Sequence, residues 1–424
     1  MNKIRRYFST LEITRGFLIA LLGSLFIYLE YWELSQPFLN TVFAILSLYL
    51  LLQSNQKTWF ISGFFTGIFW FWWIAVSFKH YEMLWAIPIV VVAMGLLYAV
   101  IFWFIAFISE KICRVQFITP LIIKILGLLF FSYIHPFGFD WFKPELMFVN
   151  SYIGIEKWQF ALVLAAIILS IWRKNFLFML IILLAYQPTS NVNIPLPKEI
   201  AIVTTHTSVE DKWNKTLHQK QFKDVLQTID RAIAQRKKLI ILPESVFPVF
   251  LNYKLDLISK LETRAKQISI VAGGLHWDGK TPHNSTYIFT NGKITIANKV
   301  LLVPFGESNP LPDFLSDWVN KVFYDGAVDY KASENVTDYS IDGVSYRNAI
   351  CFEATSEKLY AKNTQGERPK NMIVLSNNGW FTPSIEPTLQ KLLLQYYSKK
   401  YGTTIYHAVN MSESYMVQNG KITK

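Results

Sequence analysis

Apolar residues fill the first 187 positions in long, nearly unbroken runs; from about residue 199 they form short runs that alternate with polar stretches. The first long run extends from Phe17 to Trp32, and others follow at 37–54, 59–78, 84–109, 117–136, 158–172 and 175–187. Most approach the ~20 residues that a helix needs to cross a bilayer. Seven crossings are expected, the last two short and separated only by Arg173-Lys174. The second part predicts other elements. Glu199–Thr205 reads as a buried strand, and Thr216–Lys238 has helical spacing, with Phe222, Val225, Leu226, Ile229 and Ile233 on one face. Strands are expected at Leu239–Leu242, Ile268–Gly274, Asn284–Thr290 and Lys293–Val303, with a helix over Leu255–Gln267 and an Asn291-Gly292 hairpin turn. Later strands fall at 343–350, 371–376, 404–409 and 413–417, with a helix over Leu389–Tyr397. Strands alternating with helices, then paired strands, predict an α/β layered sandwich.

The charges divide at the same place. Residues 1–197 carry 13 Lys+Arg and 8 Asp+Glu, whereas residues 198–424 carry 28 and 22. A transmembrane helix bundle over 1–195 and a soluble domain over 196–424 are therefore expected. The net charge of +11 is spread over both parts, which suits membrane orientation and contact with anionic lipid. There is no arginine-rich run and no zinc-finger spacing, so a nucleic-acid partner is not expected. Met1–Arg6 is a basic start followed by an apolar run without a small-residue cleavage site, which reads as a retained anchor.

With the N-terminus inside, the inner segments hold Lys3, Arg5, Arg6, Arg15, Lys57, Lys111, Arg114, Arg173 and Lys174. The outer loops hold only Lys79, Lys143 and Lys157. The positive-inside rule favours that orientation, and an odd number of crossings places everything after Tyr186 outside the inner membrane. The two cysteines, Cys113 and Cys351, then lie on opposite sides and cannot pair, which excludes a disulfide framework. Lys124, near the inner end of its run, is expected to extend its ammonium to the membrane surface. The aromatic loop His135–Glu145 reads as an interfacial belt and as a floor beneath the soluble domain.

Candidate chemistry centres on Asn348-Ala-Ile-Cys351-Phe352-Glu353, where a β-rich run feeds into a cysteine. Alone, such a cysteine is a small buried hydrophobe. Two further stretches change that reading. Ile240-Ile-Leu-Pro-Glu244 is an apolar strand ending in a carboxylate, and Asn298-Lys299 precedes an apolar run with Glu307 beyond it. Separately, Glu244 could be a helix cap and Lys299 a strand-end charge; together with Cys351 they make a base, a cation and a nucleophile.

These residues resemble the nitrilase, or carbon–nitrogen hydrolase, superfamily. The combination with an N-terminal bundle resembles the apolipoprotein N-acyltransferase family within it. Supporting matches are Gly63–Trp70 with Trp73–Ser77, Asp211-Lys-Trp213, Val303-Pro-Phe-Gly-Glu307 and Leu375-Ser-Asn-Asn378-Gly-Trp380-Phe. The resemblance implies a polytopic helical membrane domain followed by an α-β-β-α nitrilase-like domain on the periplasmic side of a bacterial inner membrane. It implies Glu244 as general base, Lys299 as oxyanion partner and Cys351 as nucleophile. Glu307 and Glu353 match the family's acidic pair, and Trp213, Phe352, Asn378 and Trp380 take supporting or substrate-binding places. The expected reaction moves an acyl chain from a phospholipid, through a Cys351 thioester, to the N-terminal amine of a diacylglyceryl-cysteine lipoprotein. No cofactor or metal is expected.

Two departures stand out. Phe352 replaces the family's aromatic hydroxyl after the nucleophile, and no run after Tyr406 is long enough for the family's closing transmembrane helix. The segment Asn309–Tyr324, with Phe314 and Trp318, could be a membrane-dipping lid or a core-packing helix. The rival functions are a membrane-anchored amidase using the same three residues and a transporter with an accessory domain. The latter would need polar residues in several crossings, where Lys124 alone is conspicuous.

Overall fold

The computed structural model describes residues 8–113, 120–188, 194–304, 306–307 and 330–424. Its contacts divide the chain into two units, Met1–His135, Phe142–Asn191 and Pro383–Leu392 in one, Pro136–Trp141, Val192–Thr382 and Leu393–Lys424 in the other.

The first unit contains helices α1 (Thr10–Tyr31), α2 (Pro37–Leu52), α3 (Gln56–Phe71), α4 (Ala86–Cys113), α5 (Pro120–Phe131) and α6 (Lys157–Arg173), and a 3₁₀ stretch over Phe176–Ala185. Four described helical spans, Thr10–Tyr31, Gln56–Tyr81, Ala86–Ile112 and Pro120–Gly138, are long and apolar enough to cross a membrane. Pro37–Leu52 and Phe176–Ala185 are apolar but shorter. A capping box opens α1: Ser9 Oγ accepts from Glu12 N at 3.2 Å, and Glu12 Oε2 accepts from Ser9 N at 2.8 Å. Close packing of α3 on α4 depends on Gly63 and Gly67. A Cβ there would lie 2.5 Å from the carbonyl oxygens of Tyr98 and Met94 respectively. Small residues four apart allow that approach between membrane helices. The buried Glu145 carboxylate is held by Lys157 Nζ and Ser132 Oγ, each at 2.7 Å, as a buried charge requires.

Lys124 is 6% exposed, and its Nζ donates to the Ser54 carbonyl at 2.7 Å. Ser54 lies beyond the end of α2, so the ammonium satisfies an acceptor that the helix leaves unused.

The second unit contains two six-stranded sheets. The first is ordered β1 (Ile200–Ile202), β2 (Leu239–Ile241), β4 (Ser269–Trp277), β5 (Pro282–Thr290), β6 (Lys293–Asn298), with β3 (Phe247–Phe250) beside β4. The second is ordered β12 (Lys421–Thr423), β11 (Tyr415–Gln418), β10 (Thr404–Asn410), β9 (Asn371–Asn377), β8 (Val344–Ile350), β7 (Asp338–Ile341). Their facing side chains form one core, with Ile241, Val271 and Ile288 from one sheet and Ile373, Leu375 and Ala408 from the other. On the outer face of the first sheet, Ile229 of α8 (His218–Ala234) and Leu257 and Leu261 of α9 (Leu255–Ala265) pack against Ile240, Ile270 and Ala272. The short helix α7 (Val209–Trp213) precedes α8, and α10 (Glu386–Tyr401) is the crossover between the parallel strands β9 and β10. The architecture is the expected helical membrane domain followed by a layered α/β sandwich.

One expected strand ends early. The ladder of β6 stops at Asn298 rather than reaching Val303. Beyond it, the Val300 and Leu301 amides donate to the Glu353 carboxylate at 2.7 and 3.1 Å, so they are not available to a neighbouring strand.

Candidate active site

Topology alone brings the candidate residues to one edge of each sheet. Strands β2 and β4 run parallel, β5 runs antiparallel to β4, and β6 antiparallel to β5. The carboxyl ends of β2, β4 and β6 therefore lie together, and Glu244 and Lys299 follow β2 and β6 there. Asn284, near the start of β5, lies at the same edge, and the Lys299 amide donates to the Asn284 carbonyl at 2.9 Å. Cys351 follows β8, which pairs in parallel with β9. In α/β sheets, sites form outside the carboxyl ends of the strands.

Glu244 is held by a tight backbone. Ser245 adopts φ +47°, and the chain passes so close to β4 that a Cβ on Gly273 would lie 2.4 Å from Ser245 N and 2.7 Å from Glu244 Cα. The amide of Asn284 spends its two hydrogens on two carboxylates, donating to Glu244 Oε1 at 2.7 Å and Glu307 Oε1 at 2.9 Å. Lys212 Nζ, almost fully buried, donates to the Glu244 carbonyl at 3.1 Å. Burial pushes the Glu244 carboxyl above its ordinary range; Lys299, the Asn284 bond and Lys212 oppose that shift, and Glu307 adds to it. Lys212 is itself brought down to about 8, chiefly by burial and against the pull of Glu244.

Lys299 is 1% exposed, and its Nζ lies 2.7 Å from Glu307 Oε2. The same oxygen accepts from Val303 N at 2.9 Å, which ties the loop to the ion pair. Burial works against the Lys299 charge, but Glu307, Glu244 and Cys351 together hold its pKa above the ordinary lysine range. Its ammonium is thus the common electrostatic neighbour of the two carboxyl groups and the thiol.

Cys351 carries a thiol rather than a disulfide, is half-buried, and adopts φ +52°. A left-handed, non-glycine residue at a strand end is strained and persists where its surroundings fix it. Glu353 supplies that constraint. Its Oε1 accepts from Ile350 N at 2.7 Å while Oε2 takes the two loop amides after Lys299, so one buried carboxylate binds both segments. Burial raises its pKa to about 7, although Lys299 and the three amide donors pull it down. Phe352 is buried and stacks on Phe139 and Trp141, at 5.7 and 6.1 Å between ring centroids.

The remaining expected residues sit further out. Trp213 ends α7 and is 37% exposed, while its neighbour Lys212 points inward. Asn378 is buried and donates to Ser412 Oγ at 3.0 Å; Trp380 closes the same turn and is half-buried. At that turn a Cβ on Gly379 would lie 3.3 Å from Val209 Cγ2, so α7 packs against it. Phe314 and Trp318 lie outside the described residues. Sequence reasoning passed over Lys212 and Asn284. The position of Lys212 inside Asp211-Lys-Trp213 was the one signal available.

The profile described as the apolipoprotein N-acyltransferase integral membrane domain matches residues 10–189. The apolipoprotein N-acyltransferase of Wolinella succinogenes is 39% identical over 401 residues, which cover 93% of each chain. The chain belongs to the apolipoprotein N-acyltransferase family. A second apolipoprotein N-acyltransferase, from Helicobacter pylori, is 32% identical over 92% of this chain and 91% of its own. Among solved structures, a CN-hydrolase superfamily protein from Xanthomonas campestris covers 53% of this chain and 84% of its own, at 15% identity and a TM-score of 0.41. Family membership makes this a multi-pass membrane protein with an acyltransferase activity.

Proposed function

We propose that the chain is a membrane N-acyltransferase in which Glu244, Lys299 and Cys351 carry a two-step transfer. The observation that carries the reading is the buried Lys299 ammonium, which is held by Glu307 and interacts electrostatically with both Glu244 and Cys351. Glu244 takes the thiol proton, and the Cys351 sulfur attacks an ester carbonyl of a phospholipid. Lys299 and the amide of Phe352 stabilise the tetrahedral oxyanion. Collapse expels the lysophospholipid alkoxide, which takes the proton back from Glu244, and leaves an acyl thioester. The α-amine of a diacylglyceryl-cysteine then attacks; Glu244 receives its proton, the thiolate departs, and an amide forms.

Glu353 and Glu307 act as positioning residues for the nucleophile and the cation. Phe352, which has no hydroxyl, serves by stacking on Phe139 and Trp141. Residues 1–195 form the membrane bundle of seven crossings, with the N-terminus in the cytoplasm, and residues 196–424 form the catalytic domain on the periplasmic side. Trp213, Asn378 and Trp380 serve substrate binding or support the site.

The test is incubation of the full chain in lipid vesicles with a diacylglyceryl-cysteine peptide. N-acylated peptide, absent with Cys351→Ala, supports the proposal. Free fatty acid as the only product would replace it with an amidase-like hydrolase.

A further inference from the structure

A cavity of ≈ 600 Å³ opens in the membrane unit, where the end of α2, the start of α5, the end of α6 and the start of Phe176–Ala185 meet. Its polar lining is Gln53, Lys124, Ser170 and Lys174; Tyr49 and Phe176 stand among its apolar walls, with ring centroids 5.9 Å apart. Among the described residues, no acidic side chain lines it. None of its lining residues belongs to the unit that carries Cys351.

Three features point to an anion. The Lys124 ammonium has three donors, of which the Ser54 carbonyl takes one, and it stands 5.6 Å from the centroid of the Trp59 ring, a contact that uses no lone pair. Glu110, the acidic group that acts on Lys124, accepts from Gln56 Nε2 at 2.5 Å and stands outside the cavity lining. Ser170 is 2% exposed, and among the described residues its Oγ has no hydrogen-bond partner. A buried cation and an unsatisfied hydroxyl that line one cavity of the membrane unit are costly unless a ligand completes them.

We propose that this cavity binds the headgroup phosphate of an anionic phospholipid. Lys124 and Ser170 donate to the phosphate, and Lys174, at the left-handed end of α6, supplies a second positive charge. The acyl chains lie along Phe176, Leu177 and Leu180, which are 70%, 69% and 61% exposed. These exposed apolar side chains beside a basic pocket favour a lipid over a soluble phosphate. The site's assignment to the cytoplasmic leaflet rests on the topology proposed above; the binding itself does not.

The test uses the full chain in phosphatidylcholine nanodiscs, titrated with phosphatidylglycerol and read by native mass spectrometry. Retention of one phosphatidylglycerol is expected, weakened at least about tenfold in Lys124→Gln/Lys174→Asn, from the charge loss near a membrane surface. Asparagine tolerates the left-handed backbone at 174, so Lys174→Asn alone, expected to weaken retention about fivefold, serves if the double variant does not fold. Equal retention by wild type and the variants overturns the proposal. So does displacement of the lipid by inorganic phosphate at similar concentration, which would mark a soluble-anion site. Loss of acyl transfer does not affect this readout, so the two proposals fail separately.

Discussion

Glu307→Gln tests the reasoning about the site most finely, because Glu307 makes three bonds there. Its Oε2 faces Lys299 Nζ and accepts from Val303 N, and its Oε1 accepts from Asn284 Nδ2. Glutamine has one oxygen and one amino group. In its better orientation the oxygen stays on Lys299 and Val303, and the amino group meets the Asn284 amino group donor to donor. Bonds to charged groups are worth ~1.5–3 kcal/mol and neutral ones ~0.5–1.5, so two weakened bonds and one lost bond amount to roughly 3–4 kcal/mol. If that loss falls on the transition state, acylation slows by about 10²–10³-fold. The pH profile carries a second signature. The Glu307 charge is one of the influences that raise the Glu244 pKa; without it Glu244 ionises at lower pH, and the acidic limb of the rate profile moves down. The assay is the single-turnover rate of acyl-thioester formation between pH 5 and 9, stopped in acid and read by mass spectrometry. A plateau within about threefold of wild type, or an acidic limb that moves up, would refute the arrangement.

Other substitutions probe neighbouring parts of the site. Lys212→Met removes a cation that lowers the Glu244 pKa, so its acidic limb should move up, opposite to Glu307→Gln; an unmoved limb would show that Lys212 only packs. Lys299→Met should cut acylation by ~10²–10³-fold, as loss of an oxyanion donor does, and acylation at the normal rate would assign the oxyanion to other groups. Gly273→Ala forces a Cβ against the backbone of Ser245 and Glu244. It should cost ~1–3 kcal/mol of stability, read by thermal unfolding, and should slow acylation; a neutral result would mean that the turn after β2 can shift without harm.

The sequence revealed those parts of the protein that leave a periodic or compositional mark. Four of the long apolar runs form helical spans long enough to cross a membrane, and the Asn291-Gly292 turn at φ +49° and +69° and the strands ending near Glu244 and Cys351 stand where period and turn chemistry place them. The helix expected over Leu389–Tyr397 is present and longer, Glu386–Tyr401. Strands β3, β7 and β12, three or four residues long, went unseen. The site's internal wiring was not legible either. Glu353 reaches amides 52 and 53 residues away, and Asn284 joins carboxylates 40 and 23 residues away. Such side-chain contacts leave no periodicity, and Asn284 resembles any polar residue at the start of a strand. Nothing in Asp211-Lys-Trp213 as a sequence marks Lys212 as the residue that the fold turns toward Glu244.

The central claim is that Cys351 carries the acyl chain. The full chain should be incubated with a phospholipid of defined acyl composition and no acceptor, then digested and analysed by mass spectrometry. The prediction is a peptide bearing Cys351 with the added mass of one acyl group, lost on treatment with hydroxylamine and on addition of a diacylglyceryl-cysteine peptide. An unmodified Cys351 peptide in protein that nevertheless completes the transfer would contradict the account.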